Sequence, residues 1–248
     1  MSTINGLGCN QCRREFSLVD GIPVFLSKQQ MSNWDLRHNS HLDRVALVPQ
    51  SEHPFYTRFT TGWNRMLDLG SGDGVMSAGS SASVGEIFCV EPDIQALGVL
   101  KKRGRNNMYP ISTVGELLPF PDHFFDGVLS VFVIEHLKNP YPFLAEVKRV
   151  LKPEGQFVVA TDSKFYDKYL KSVSVSYAQR RIVFCPSNPK HVNLMTPSKF
   201  RHVLRSAGFQ ISREHLSYYV RPDRFDWLPL SFKEAFLTSL MAFVCIAV

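Results

Sequence analysis

The sequence predicts an α/β fold in which a parallel sheet carries helices on both faces. Two observations carry this prediction. From Met66 onward, short apolar runs of strand length alternate with stretches whose apolar residues recur at helical spacing. Such alternation implies strands joined by helical crossovers, which cover both sides of a sheet. The first run, "RMLDLG", breaks directly into "SGDG", a side-chain-poor loop of the kind that follows the first strand of doubly wound sheets.

Residues 1–26 read as a small unit of their own. "CNQC" precedes the alternating run "FSLVDGIPVFL", and the Asp-Gly pair at its middle marks a β-hairpin. Residues 27–63 are polar and rich in His, Ser and aromatics, without clean periodicity over most of their length. They read as a connecting arm placed to close over a site. The main domain spans 64–222. "RMLDLG", "EIFCVEP", "DGVLSVFV" and "GQFVVATD" are its strands, and 73 to 84, 93 to 103 and 140 to 151 its helices. An insertion, 163–195, follows the fourth of these strands. Next comes "TPSKFRHVLRSAGF", a helix with a Thr cap before Pro and a Gly after its last apolar turn. "FQIS" and "HLSYYV" read as closing strands.

Residues 223–248 end in "AFLTSLMAFVCIAV", shorter than the ~20 residues of a membrane span. They are predicted as an apolar helix serving the core or a contact between copies of the chain.

The composition excludes several classes. With 44% hydrophobic and 20% charged residues in 248, the chain is neither disordered nor fibrous. The net charge of +6 permits a nucleic-acid partner without requiring one, and the cluster "KKRGR" at 101 to 105 reads as a solvated loop or as a phosphate-binding patch. Five cysteines with one close pair do not make a disulfide framework, and no apolar run follows a basic start at the N-terminus, so a cytoplasmic location is expected.

The glycine loop is where the chemistry begins. Gly70, Gly72 and Gly74 remove the Cβ atoms that would keep a ligand off the backbone, or else serve a plain turn. Glu91 ends the second strand about 20 residues on, where a carboxylate accepts hydrogen bonds from both hydroxyls of a ribose. A dinucleotide fingerprint would require glycine at 75, and that residue is Val75.

"GELLPFPDHFFDGVLSVFVIEHL", 115 to 137, and "EVKRVLKPEGQFVVAT" after it, resemble the class I S-adenosylmethionine-dependent methyltransferases. The group in question carries LPF-x-D-x-x-F-D before strand four and L-K-P-G-G before strand five, and the resemblance covers roughly 55 to 220. It implies a Rossmann-like doubly wound sheet, mostly parallel with an antiparallel closing strand, and S-adenosylmethionine as cofactor. By the resemblance, Asp68, Gly70, Ser71 and Gly72 hold the methionine part of the cofactor. Glu91 takes the ribose, with Pro92 beside the adenine. Gly115 and Glu116 line the adenine edge, and the backbone of Ser130 and Val131 faces the methionine ammonium. Val114 departs from the pattern, since many relatives have Asp there, and so does "KPEG" where "KPGG" is usual. The N-terminal segment looks like half of a zinc ribbon. Cys9 and Cys12 would be zinc ligands, but a structural zinc takes four, and H-x2-H at His38 and His41 is tighter than usual. A metal-free hairpin is therefore expected.

A sulfonium methyl group needs mainly alignment and a dry pocket for its transfer. If the acceptor is a hydroxyl, His136 is the best-placed general base, the alternative being that it caps or packs. Tyr56 in the arm and His191 before the late helix are the substrate-side candidates, each with a packing role as its alternative. Tyr166, Tyr169 and Tyr177 are further candidates for the pocket wall. Three functions follow: methyl transfer to an oxygen or nitrogen of a small molecule such as a secondary metabolite, methylation of a base in ribosomal or transfer RNA, and a catalytically inactive cofactor-binding partner subunit. The first is favoured because no basic run interleaves with aromatics as an RNA channel would.

Overall fold

The computed structural model describes residues 6–10, 13–27, 30, 58–164, 173–176, 181–184, 191–218 and 227–248. At the N-terminus β1 (Leu7–Gly8), β2 (Glu15–Val19) and β3 (Ile22–Val24) form an antiparallel sheet. The predicted hairpin is present. Val19 pairs with Ile22 across Asp20 and Gly21, whose φ of 49° and 73° are the left-handed values a two-residue turn requires. The hairpin is not the separate unit expected for 1–26. Ile22 and Val24 are buried, Phe25 N–H donates to Ser112 O (2.8 Å), and Ser112 N–H donates to Pro23 O (2.8 Å). It is thus docked beside the main sheet.

The main domain contains β4 (Arg65–Leu69), α1 (Val75–Ala78), β5 (Glu86–Val90), α2 (Ile94–Lys102), β6 (Met108–Ile111), β7 (Phe125–Val131), α3 (Tyr141–Val150) and β8 (Leu151–Asp162). After these come β9 (Val173–Ser176), β10 (Arg181–Phe184), α4 (Pro197–Ser206), β11 (Phe209–Tyr218), α5 (Leu230–Leu237) and β12 (Thr238–Ala247). Seven strands form one sheet in the order β11-β12-β8-β7-β4-β5-β6. All neighbours from β8 to β6 are parallel, and β12 alone runs antiparallel to the strands flanking it. One core cluster packs α3 and α4 on one face through Phe143, Val147, Phe200 and Leu204; the other packs α2 on the opposite face through Leu97 and Leu100.

Several elements differ from the sequence reading. The helix expected over 73 to 84 is one turn, because Ser81 Oγ donates to Ala78 O (2.7 Å) and Ser83 Oγ to Ser80 O (3.2 Å), hydroxyl bonds that favour turns over helix. β6, with a proline inside it, was not foreseen. The two closing strands are one, β11, with an irregularity between Ile211 and Arg213. The largest correction concerns the C-terminal apolar helix expected over 223–248. Among the described residues of this stretch only Leu230–Leu237 is helical, and the following residues are β12, in the sheet interior. Met241, Phe243 and Cys245 face one core cluster while Ala242 and Val244 face the other. A strand covered on both faces reads as a continuous apolar run, which periodicity alone does not separate from a buried helix. Core packing therefore accounts for apolarity that had suggested a contact between copies. Among the described residues no helix is long and apolar enough to cross a membrane.

Of the insertion 163–195, the hairpin β9–β10 and the two ends are described. Tyr166, Tyr169 and Tyr177, most of the arm 27–63 including Tyr56, and Cys12, His38 and His41 lie outside the described residues.

Candidate functional site

The chain leaves β4 toward β5 and β6 on one side and returns to β7 and β8 on the other. The crevice beyond the carboxyl ends of β4 and β7 is therefore the point where strand order reverses, the usual seat of ligands in such sheets. The glycine loop stands on one wall. Gly70 N–H and Ser71 N–H both donate to Val90 O (2.8 and 3.0 Å), folding the loop over the end of β5. Gly70, Gly72 and Gly74 have φ of 80°, 54° and 79°, values that side chains rarely adopt. At Gly70 a Cβ would also lie 2.2 Å from Val133 Cγ2, so the turn after β7 closes directly on the loop. That turn begins with Phe132, itself left-handed at φ 59° and partly exposed. Asp73 pairs with Arg103, anchoring the loop to the end of α2.

Two carboxylates lie beneath. Glu91 Oε2 accepts from Gly72 N–H (3.0 Å) and Oε1 from Asp93 N–H (3.1 Å), so it links loop and strand before any ligand arrives. Burial raises its carboxyl to about 7, partly offset by those two backbone donors and reinforced by the charges of Asp93 and Asp68. Burial likewise raises Asp68 to about 7 against a hydrogen bond from Ser77. A cationic ligand would favour the ionised form of both.

The residues fit S-adenosylmethionine on an observation independent of motif. Asp68 Oδ2, Ser71 Oγ and Ser130 Oγ are buried without hydrogen-bond partners, and buried polar atoms in that condition call for a ligand or a water. All three belong to residues predicted for the methionine end. Others of the predicted set are explained by the scaffold. A Cβ on Gly115 would lie 2.5 Å from Phe143 Cδ2, so α3 packing demands that glycine. Pro92 O accepts from Ser112 Oγ (3.3 Å), Glu116 is exposed, and Val131 is buried at the end of β7.

His136 closes a single 3-10 turn, Ile134–His136, just beyond β7. His191 meets it from the end of the insertion, the two rings 4.8 Å apart and edge-to-face. Sequence reasoning named both histidines but not their neighbour Glu135, which is buried, accepts at Oε2 from Thr161 Oγ1 (2.8 Å), and receives Asn193 N–H at its carbonyl (3.0 Å). The acidic residue beside His136 was the available signal; Thr161 had none. Cys9 lies in the turn between β1 and β2, where its N–H donates to Arg14 O (2.9 Å).

The residues that carried the family resemblance are mostly girders. Asp126 accepts from Asn64 N–H, Arg65 N–H and Lys152 Nζ. Burial works against its charge, yet Lys152 and those amides hold it below the usual range. Arg149 spans Glu146, Asp122 and the carbonyls of Leu118 and Phe120, fixing the "LPFPD" segment to α3. Within "KKRGR", Lys101 reaches Asp20 O and Arg103 holds Asp73, so two of its cations serve the fold.

Comparison with known proteins agrees with this geometry. Residues 67–159 match the family model described as a methyltransferase domain.

Residues 67–159 are a methyltransferase domain.

The domain takes S-adenosylmethionine as its cofactor. The chain is 31% identical over 140 residues to the ubiquinone/menaquinone biosynthesis C-methyltransferase UbiE of Pectobacterium carotovorum, covering 51% of this chain and 56% of that protein. It spans about half the length of the first curated relatives it matches. Among solved structures, the YcgJ protein of Bacillus subtilis aligns with a TM-score of 0.56 at 18% identity, over 78% of this chain and 97% of that one. A chain from the complex between the Haloferax volcanii Trm112 methyltransferase activator and a methyltransferase aligns with a TM-score of 0.57 at 17% identity, over 90% and 98%. At these identities the structural likenesses establish the fold of the methyltransferase domain.

Proposed function

We propose that the chain transfers the methyl group of S-adenosylmethionine to an oxygen or nitrogen of a small molecule. The observation that supports this reading best is the crevice between β4 and β7, with its unpartnered buried oxygens on Asp68, Ser71 and Ser130 and its pair of histidines, His136 and His191. The cofactor, when bound, supplies an electrophilic methyl on a cationic sulfur. Everything else falls to the chain. Glu91 would offer its remaining lone pairs to the ribose hydroxyls, and the loop backbone at Gly70 to Gly72 would hold the methionine part. The backbone of Ser130 and Val131 would take the ammonium, with Asp68 giving it a counter-charge. Pro92, Gly115 and Glu116 would border the adenine. Holding cofactor and acceptor in line is the main catalytic contribution, for which proximity supplies ~7–11 kcal/mol. His136 takes the proton of a hydroxyl acceptor at its imidazole nitrogen, and His191 borders the acceptor.

The test is calorimetric titration with S-adenosylhomocysteine on the wild type and on Glu91→Ala, followed by methyl uptake from labelled cofactor into phenol, amine, quinol and RNA panels. Binding lost in the variant, with label in a phenol or amine, supports the reading. Label in a quinol ring carbon moves the reading toward the C-methyltransferase named above. Label in RNA makes nucleic acid the partner, and binding without uptake into any panel leaves a cofactor-binding subunit. No binding to the folded wild type overturns it.

A further inference from the structure

We propose that Glu135, His136 and His191 form a binding site for one divalent transition-metal ion of zinc type at the acceptor side of the crevice. The ligating atoms of the three side chains all lie within 4.8 Å of one another. Around a zinc ion with bonds of ~2.0–2.2 Å, ligand atoms stand about 3.4 Å apart, so small rotations of the imidazoles close the site. The three residues come from two separate segments, and both segments are pinned. Asn193 N–H donates to Glu135 O (3.0 Å), and Lys164 N–H donates to Met195 O (2.9 Å), so the segment carrying His191 is fixed two and four residues past it.

The chemistry of the donors selects the ion. Two imidazoles and one carboxylate suit zinc, cobalt or iron, whereas magnesium and calcium prefer oxygen donors alone. Glu135 is 1% exposed, and a divalent ion is a positive charge that stabilises a buried carboxylate. Thr161 Oγ1 donates to Glu135 Oε2 (2.8 Å), the outer hydrogen bond that orients a metal-binding carboxylate. Three protein ligands leave a fourth position open, as in zinc sites that carry out chemistry rather than hold a fold together. An oxygen acceptor entering it would lose its proton to solvent more readily. His136 is then a ligand rather than the proton acceptor, so the ion and the base role of His136 exclude each other. Metal binding here does not require that the chain transfer methyl groups.

The experiment uses the full chain, stripped with a chelator and titrated with Co2+ and with Zn2+ in the absence of cofactor. The expected result is one equivalent of Co2+ giving visible absorption bands displaced by Zn2+. The affinity should fall at least tenfold in His191→Ala and His136→Ala and persist in Cys9→Ser, which tests the N-terminal ribbon. Thr161→Val should weaken it by roughly 10- to 100-fold. Binding that survives both histidine substitutions, or follows Cys9, overturns the proposal, as does the absence of Co2+ bands in the folded wild type. Should His191→Ala fail to fold, imidazole proton resonances of the wild type decide. Two histidines shifting together up to one equivalent of Zn2+ support the site, and no shift overturns it.

Discussion

The two walls of the crevice are built from the same kind of strand end, yet they are assembled in opposite ways. On the cofactor wall, the residues from Asp68 to Asp93 belong to one β-α-β unit, and their contacts run through backbone atoms: Gly70 and Ser71 to Val90, Gly72 and Asp93 to Glu91. On the acceptor wall, Glu135, Thr161 and His191 come from three distant stretches and meet through side chains. A wall made of backbone tolerates almost no change in the residues that let the backbone close. A wall made of side chains can be reshaped one residue at a time, which suits a position that decides the acceptor.

The contrast can be broken by substitution, and the largest effect belongs to the backbone wall. Gly70→Ala places a Cβ 2.2 Å from Val133 Cγ2 at a φ of 80°. The left-handed backbone costs ~1–2 kcal/mol and the overlap ~1–3 kcal/mol more, so thermal denaturation should show a loss of a few kcal/mol. S-adenosylhomocysteine binding should disappear with it. A variant of wild-type stability and affinity would mean that the two turns are not in contact.

Glu91→Ala should come next. Hydrogen bonds to a charged group contribute ~1.5–3 kcal/mol each, so cofactor affinity should fall on the order of 100-fold by calorimetry. A fall of less than threefold would remove Glu91 from the ribose site.

Acidity gives a smaller effect. With Asp68 and Glu91 each near 7 in the folded chain, affinity for a cationic cofactor should be about tenfold weaker at pH 6 than at pH 8, with protons released on binding. The same shifts act on stability with a definite sign. Their folded values lie above the unfolded ones, so between about pH 4 and 7 the folded chain holds more protons, and these two groups lower stability as pH rises through that window. Glu91→Ala should flatten that part of the stability profile. An affinity independent of pH across this range would mean that both carboxylates are already ionised in the free protein.

The smallest effects lie away from the cofactor wall. Glu154 takes a left-handed φ of 62° at the bulge that opens β8. Replacing it with glycine relieves ~1–2 kcal/mol of backbone strain and costs ~0.5–1 kcal/mol in unfolded-state freedom, a net gain of about 0.5 kcal/mol measurable by denaturant titration. His191→Ala should leave S-adenosylhomocysteine affinity within about twofold of wild type, since 1.4 kcal/mol would be needed for a tenfold change and the ring of His191 packs against His136. A large loss there would erase the distinction between the walls.

The same contrast explains what could be read in advance. The glycine loop and Glu91 lie 20 residues apart in one unit, so local spacing is enough to place them together. His136 and His191 are 55 positions apart, and only the parallel return of β8 and the anchored end of the insertion bring their rings together. Gly115 was placed at the adenine edge, but Phe143 alone already demands a glycine there. β12 was mistaken for a helix because an interior strand, apolar on both faces, loses the alternation that marks half-exposed strands.

That strand has a consequence for how the chain is made. β12 fills the slot between β8 and β11, both of which leave the ribosome before it. β11 is parallel to β8 and, among the described strands, pairs with β12 alone, so within this sheet it has no partner until residues 238–247 emerge. The cofactor wall needs only strands completed long before. During synthesis the chain can hold a finished crevice floor while one flank of its sheet stands open, and a chaperone that shields an unpaired strand edge would act on β8 in that interval.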